Sequence, residues 1–172
     1  MKILIVVDMQ KDFIDGSLGT KEAQDIVSNV IEKIKSYEKE NARIIYTKDT
    51  HFDNYLDTSE GKKLPVKHCI KGTDGFEIPS DILRDNKEVI EKYTFGSTKL
   101  FSEVLSKIDN IESIELIGLC TDICVVSNAL LAKAHFPEVR IIVDAKCCAG
   151  VSVTSHKEAL NTMKMCQIEV LN

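Results

Sequence analysis

Asp8, Lys92 and Cys124 are a carboxylate, an amine and a thiol, each placed at or shortly after the end of an apolar run. Together they hold the parts of an acyl-transfer machine. Cysteine attacks as the thiolate, and a free thiol is mostly protonated near neutral pH, so it needs a base or a neighbouring cation. Asp8 can take the thiol proton and later return it to a leaving amine. Lys92 supplies the cation. Cys124 follows Leu116-Ile117-Gly118 near the expected start of a helix, whose N-terminus also favours a thiolate, and Thr121 and Asp122 suit its cap or first turn. Backbone N–H groups at that bend can hold an oxyanion. No histidine base is evident, which argues against a papain-like site. Taken singly, Cys124 reads as a buried thiol, Asp8 as a turn carboxylate and Lys92 as a solvated lysine in a patch with Lys87, Glu88 and Glu91. The combination points to chemistry.

A second constellation is Asp49-x-His51, followed by Glu60 and His68. Carboxylate and imidazole ligands suit Zn²⁺, Fe²⁺ or Mn²⁺, and Asp-x-His just after a strand aims both groups one way. His135 and His156 lack such partners and read as surface residues.

The elements that must position these groups alternate in type. Lys2 to Val7 is a continuous apolar, mostly β-branched run, as in a strand buried on both faces. Further strands are expected at 43–47, 88–90, 113–118, 139–143 and 167–171. Helical periodicity covers 20–39, with Ile26, Val30, Ile34 and Tyr37 on one side, and recurs at 99–108, 121–134 and 153–165. Strands alternating with helices imply a three-layer α/β/α fold with a six-stranded, mainly parallel sheet. Ligands of such sheets sit beyond the carboxyl ends of the strands, at the switch in strand order. Asp8, Asp49, His51, Lys92 and Cys124 all follow expected strand ends. No repeat or linker interrupts residues 1–172, so one domain is expected.

Composition sets outer bounds. A net charge of -5 with 28% charged residues argues against a broad nucleic-acid footprint. No apolar run approaches the roughly 18 residues that span a membrane. The six cysteines form no C-x-x-C pair, and no export signal precedes them. They read as reduced thiols of a cytoplasmic protein, five of them small core or near-core residues. A nucleotide-binding module is disfavoured because Gly16-Ser17-Leu18-Gly19 fits neither G-x-G-x-x-G nor a P-loop. A redox sensor pairing Cys124 with Cys120 is a further alternative.

The motifs resemble the isochorismatase-like cysteine hydrolases, and within them the nicotinamidase/pyrazinamidase branch. Val7-Asp8-Met9-Gln10 with Asp12-Phe13 resembles their N-terminal signature. Thr47-Lys48-Asp49-Thr50-His51 resembles their metal segment, and Leu64-Pro65-Val66-Lys67-His68-Cys69-Ile70-Lys71-Gly72-Thr73 the segment ending in their last metal histidine. Glu91-Lys92 resembles the stretch with the catalytic lysine, and Gly118-Leu119-Cys120-Thr121-Asp122-Ile123-Cys124-Val125 the nucleophile loop. The resemblance implies a metal-dependent cysteine amidohydrolase that converts nicotinamide to nicotinate and ammonia through a thioester. Another amide, a carbamoyl group or a vinyl ether is the alternative substrate.

It further implies a cis bond between Leu119 and Cys120, with the N–H groups of Cys120 and Cys124 as the oxyanion hole. Many nicotinamidases use one Asp and three His at the metal. Here Asp49, His51 and His68 are present, and Glu60 is the candidate fourth ligand, with Asp53 and Asp57 as alternatives. Zinc is the expected ion. Phe13 is expected as a wall for an aromatic ring, and the stretch from Phe52 to Lys63 as part of the pocket. A small-molecule amide is the expected partner, and the family's habit of self-association implies a homo-oligomer.

Overall fold

The computed structural model describes residues 1–83 and 88–171; Lys87 of the charged patch lies outside the described residues. The strands are β1 (Lys2–Val7), β2 (Arg43–Asp49), β3 (Glu88–Lys92), β4 (Ser113–Leu119), β5 (Arg140–Ala149) and β6 (Glu169–Leu171). Among the described residues they form a six-stranded sheet in the order β3-β2-β1-β4-β5-β6. Each neighbouring pair is parallel. The chain order reverses between β1 and β4, the switch point at which such sheets bind ligands. The helices are α1 (Lys11–Ile14), α2 (Lys21–Asp25), α3 (Val27–Lys39), α4 (Ser59–Lys63), α5 (Val126–His135) and α6 (Val153–Met165).

Alternation along β1 divides the core between the two faces. Ile3, Ile5 and Val7 pack in one cluster with Ala129 and Ala132 of α5 and Leu160 and Met163 of α6. Leu4 and Val6 pack in the other with Val30, Ile34 and Tyr37 of α3. The three layers expected from the alternating pattern are therefore present. Among the described residues no helix is long and apolar enough to cross a membrane.

The structure departs from the expected elements in several places. The helix expected over 20–39 breaks at Ile26, whose N–H turns to the Gln24 carbonyl. The 99–108 segment is a π-helical turn (Leu100–Val104) followed by a 3₁₀ turn (Leu105–Lys107), an arrangement that buries Leu100, Phe101 and Leu105 in one cluster. β5 runs past its expected end to Ala149, because a register shift between Leu116 and Gly118 lets pairing resume at Gly118 and Cys148. Cys166 is exposed, not part of a core, since it caps the end of α6.

A buried polar clasp fastens α3 to the sheet. Lys33 Nζ lies 2.8 Å from Glu115 on β4 and 2.8 Å from Asp144 on β5. The Tyr37 hydroxyl donates to Glu115 at 2.6 Å. Burial opposes the Lys33 charge, but Asp144 and Glu115 outweigh it and hold the ammonium above lysine's ordinary 10.5. Burial and Glu115 push the Tyr37 hydroxyl above its ordinary 10.0. Both groups bind their protons more tightly folded than unfolded. Their stabilisation is complete below those ordinary values and is lost as pH rises through the folded ones. Unfolding midpoints in urea should therefore fall as pH climbs above 10.0. Lys33→Met and Tyr37→Phe should flatten that fall, and an equally steep fall in both variants would assign the alkaline loss to other groups.

Candidate active site

The site is assembled where β1, β2, β3 and β4 end. Gly118 makes the closest approach possible. Its φ is +116°, and a Cβ there would lie 2.1 Å from the Val7 carbonyl oxygen, so only glycine lets β4 run this close to β1. The next peptide, Leu119–Cys120, is cis. The chain then enters a π-helical turn, Thr121–Val125, before α5 begins at Val126. Ile123 and Val125 donate their N–H groups to the Cys120 carbonyl at 3.1 and 3.0 Å. Cys124 therefore sits inside a widened turn and not at the start of an α-helix.

Asp8, Lys92 and Cys124 are brought together and are buried. Lys92 Nζ lies 2.7 Å from Asp8 Oδ2, 3.2 Å from Asp49 Oδ1 and 3.5 Å from Cys124 Sγ, and donates to the Thr94 carbonyl at 3.1 Å. The Thr47 hydroxyl donates to Asp8 Oδ1 at 2.6 Å and accepts from the Asp8 N–H at 3.2 Å, which fixes the carboxylate's rotation. Burial pushes the Asp8 carboxyl up, and Lys92 offsets this only in part. Burial also works against the Lys92 charge, but Asp8, Cys124 and Asp49 hold the ammonium well above the usual lysine range.

The Cys124 thiol is likewise pushed well up by burial, against the pull of Lys92. Desolvation of the buried sulfur favours the thiol over the thiolate. A carboxylate made more basic by burial suits the task of taking that proton.

The second constellation stands beside the first. Asp49, His51, Glu60 and His68 offer ligand atoms that all lie within 4.8 Å of one another. His51 Nε2 is 3.0 Å from Asp49 Oδ2 and 3.7 Å from Glu60 Oε1, and His68 Nε2 is 3.7 Å from each of those oxygens. The edge of a tetrahedron with metal–ligand bonds of about 2.1 Å is about 3.4 Å, so the donor set fits a tetrahedral divalent ion. His68 Nδ1 lies 2.8 Å from the Val66 carbonyl. That bond places the ring proton on Nδ1 and leaves Nε2 free to ligate. Asp49 joins the two groups, one oxygen toward Lys92 and the other toward the histidines. Asp53 and Asp57, the alternative ligands, are exposed and outside this set.

A cavity of about 570 Å³ opens onto both constellations, with Cys124, Asp49, Glu60, His68 and Phe13 among its lining residues. The Phe13 ring lies 5.5 Å from the His68 ring between centroids. Ser59 and Lys63 bring the 52–63 stretch into the wall.

Several positioning residues escaped the sequence reading. Gln10 is fully buried and clamps Asp49, donating to its carbonyl at 2.9 Å and accepting its N–H at 2.7 Å. Asp12 accepts the Cys69 N–H at 2.7 Å, anchoring the turn after His68. The available signal for both residues was their place in the motif Val7-Asp8-Met9-Gln10 with Asp12-Phe13. His156 is half-buried, not a surface residue: its Nδ1 meets the Thr121 hydroxyl at 2.8 Å, and burial lowers its pKa.

Asn128 on α5 had no signal at all. It accepts from the Ser97 N–H at 2.9 Å and donates to the Phe95 and Cys124 carbonyls at 3.1 and 2.8 Å. Asn128→Ala should cost about 1–3 kcal/mol, because buried backbone groups lose their partners. It should also raise KM more than it lowers kcat, since the Phe95 wall loosens while Cys124 stays in its turn. Urea titration and steady-state kinetics check both; a stable variant of unchanged KM would remove Asn128 from the positioning role.

The family model described as Isochorismatase domain matches residues 2–172. The chain is similar to the nicotinamidase/pyrazinamidase of Mycobacterium tuberculosis, at 24% identity over 186 residues, covering 99% of this chain and 98% of that protein. In structure it is similar to the pyrazinamidase of Pyrococcus horikoshii in complex with zinc, with 27% identity, a TM-score of 0.86, and coverage of 99% of this chain and 98% of that one. It is also similar to the N-carbamoylsarcosine amidase of Thermoplasma acidophilum, at 27% identity and a TM-score of 0.82, with coverage of 99% and 95%.

Proposed function

We propose that this chain, which belongs to the isochorismatase domain family, is a single-domain cytoplasmic amidohydrolase that converts nicotinamide to nicotinate and ammonia. The observation that carries this reading is the Asp49, His51, Glu60 and His68 donor set, of which Asp49, Glu60 and His68 line the same cavity as Cys124. Those four residues would hold a divalent ion, and zinc suits two imidazoles with two carboxylates; the zinc in the similar Pyrococcus structure supports that choice. When bound there, the ion supplies Lewis acidity toward a ring nitrogen.

The remaining steps belong to the protein's own groups. Asp8 takes the proton from the Cys124 thiol while Lys92 stabilises the negative charge that develops on sulfur. The sulfur bonds to the amide carbon, and the N–H groups of Cys120 and Cys124 hold the oxyanion. As the C–N bond breaks, Asp8 passes its proton to the departing ammonia. Water then attacks the thioester and gives one proton to Asp8; as the carbon–sulfur bond breaks Asp8 passes that proton to the sulfur, restoring the thiol, and the acid released loses its remaining proton to solvent as nicotinate. Phe13 forms one wall against the ring.

Ammonia release from nicotinamide by protein purified with its native metal tests the reading. Turnover at about 1 s⁻¹ or faster, lost on chelation and restored by zinc, is the expected result. No turnover at confirmed metal content would sink the nicotinamide assignment and direct the search to carbamoyl compounds.

A further inference from the structure

The cavity is larger than a lone ring amide needs. Its volume of about 570 Å³ falls in the range of about 300–1,000 Å³ that encloses drug-sized ligands. The reacting end is defined by Cys124 and the donor set. The rest of the wall includes Leu18, Leu64, Phe95, Ile123 and Val151. Of these, Leu64, Phe95 and Val151 are 39%, 41% and 60% exposed, which places them at the mouth and leaves apolar surface facing solvent. An apolar wall continuous with a catalytic centre marks space for a part of the substrate that does not react, and binding energy from such a part can drive the reacting end.

We propose that the preferred substrate is an aromatic carboxamide with an uncharged, apolar substituent that fills this outer space while the amide lies at Cys124. This rests on the reading given under Proposed function and adds the second half of the substrate. Lys63 also lines the cavity, so an anionic substituent is the contrasting chemistry.

The test separates binding from turnover. Metal-loaded Cys124→Ala protein is titrated calorimetrically with nicotinamide and with nicotinamides carrying a butyl, a benzyl or a carboxypropyl group at each free ring carbon. At one or more positions the butyl or benzyl amide should bind about tenfold tighter than nicotinamide or better. Val151→Trp, which narrows the mouth at an exposed position, should collapse that ratio. No gain at any position, a ratio unmoved by Val151→Trp, or tightest binding of the carboxypropyl amide overturns the proposal. Ammonia release by the unmodified protein is measured in parallel. Tighter binding without any ammonia from nicotinamide would sink the nicotinamidase reading alone, and ammonia without tighter binding would sink the outer-cavity inference alone.

Discussion

Cys124→Ala is expected to lower ammonia release by about ten-thousand-fold or more while the protein remains folded. The sulfur is the only protein atom in the proposed route that bonds to the amide carbon, so no neighbouring side chain can replace it. The fold should tolerate the change because alanine fills nearly the same space in the buried turn. Asp8→Asn should cost a comparable factor, since the buried thiol is then left without a base. The double variant should be little worse than either single one, because the two residues act as one unit. Steady-state ammonia assays on the three proteins check the set. A Cys124→Ala enzyme within tenfold of the parent, or single losses that multiply in the double variant, would remove the thioester mechanism.

Lys92→Met should be the most damaging single change to stability, at about 3–5 kcal/mol. Lys92 is 3% exposed and pairs with the carboxylates of both Asp8 and Asp49. Methionine keeps much of the volume but removes the ammonium that pairs with both carboxylates in a desolvated site. Adding Asp8→Asn to Lys92→Met should restore part of the loss, since one of the unpaired charges is then gone. Urea unfolding of the three variants at neutral pH gives the coupling directly. A loss below about 1 kcal/mol for Lys92→Met would mean that the ion pair is no net asset to the fold.

Much of this site was legible because its reactive residues lie at strand ends or just after them. Asp8, Asp49, Lys92 and Cys124 could be picked out by type and place, and the sheet order then carried them to one rim. Asn128 and Thr47 were not legible in the same way. Their roles depend on partners more than thirty residues away, and an asparagine in a helix or a threonine in a strand carries no mark of such a bond. The upward push of burial on the Cys124 thiol was also out of reach, because sequence shows which charged residues are present but not how much water is excluded. The π-helical turns share their hydrophobic spacing closely enough with α-helices that periodicity does not separate them.

The two positive-φ glycines carry different histories of constraint. In a saturation library selected for activity, position 118 should return glycine alone, because every other side chain meets the Val7 carbonyl. Position 72, where φ is +89° and nothing lies within 4 Å, should also return asparagine and aspartate, which tolerate left-handed backbone. One site would be frozen over any span of neutral drift. The other would wander within a small alphabet, although both residues have positive φ.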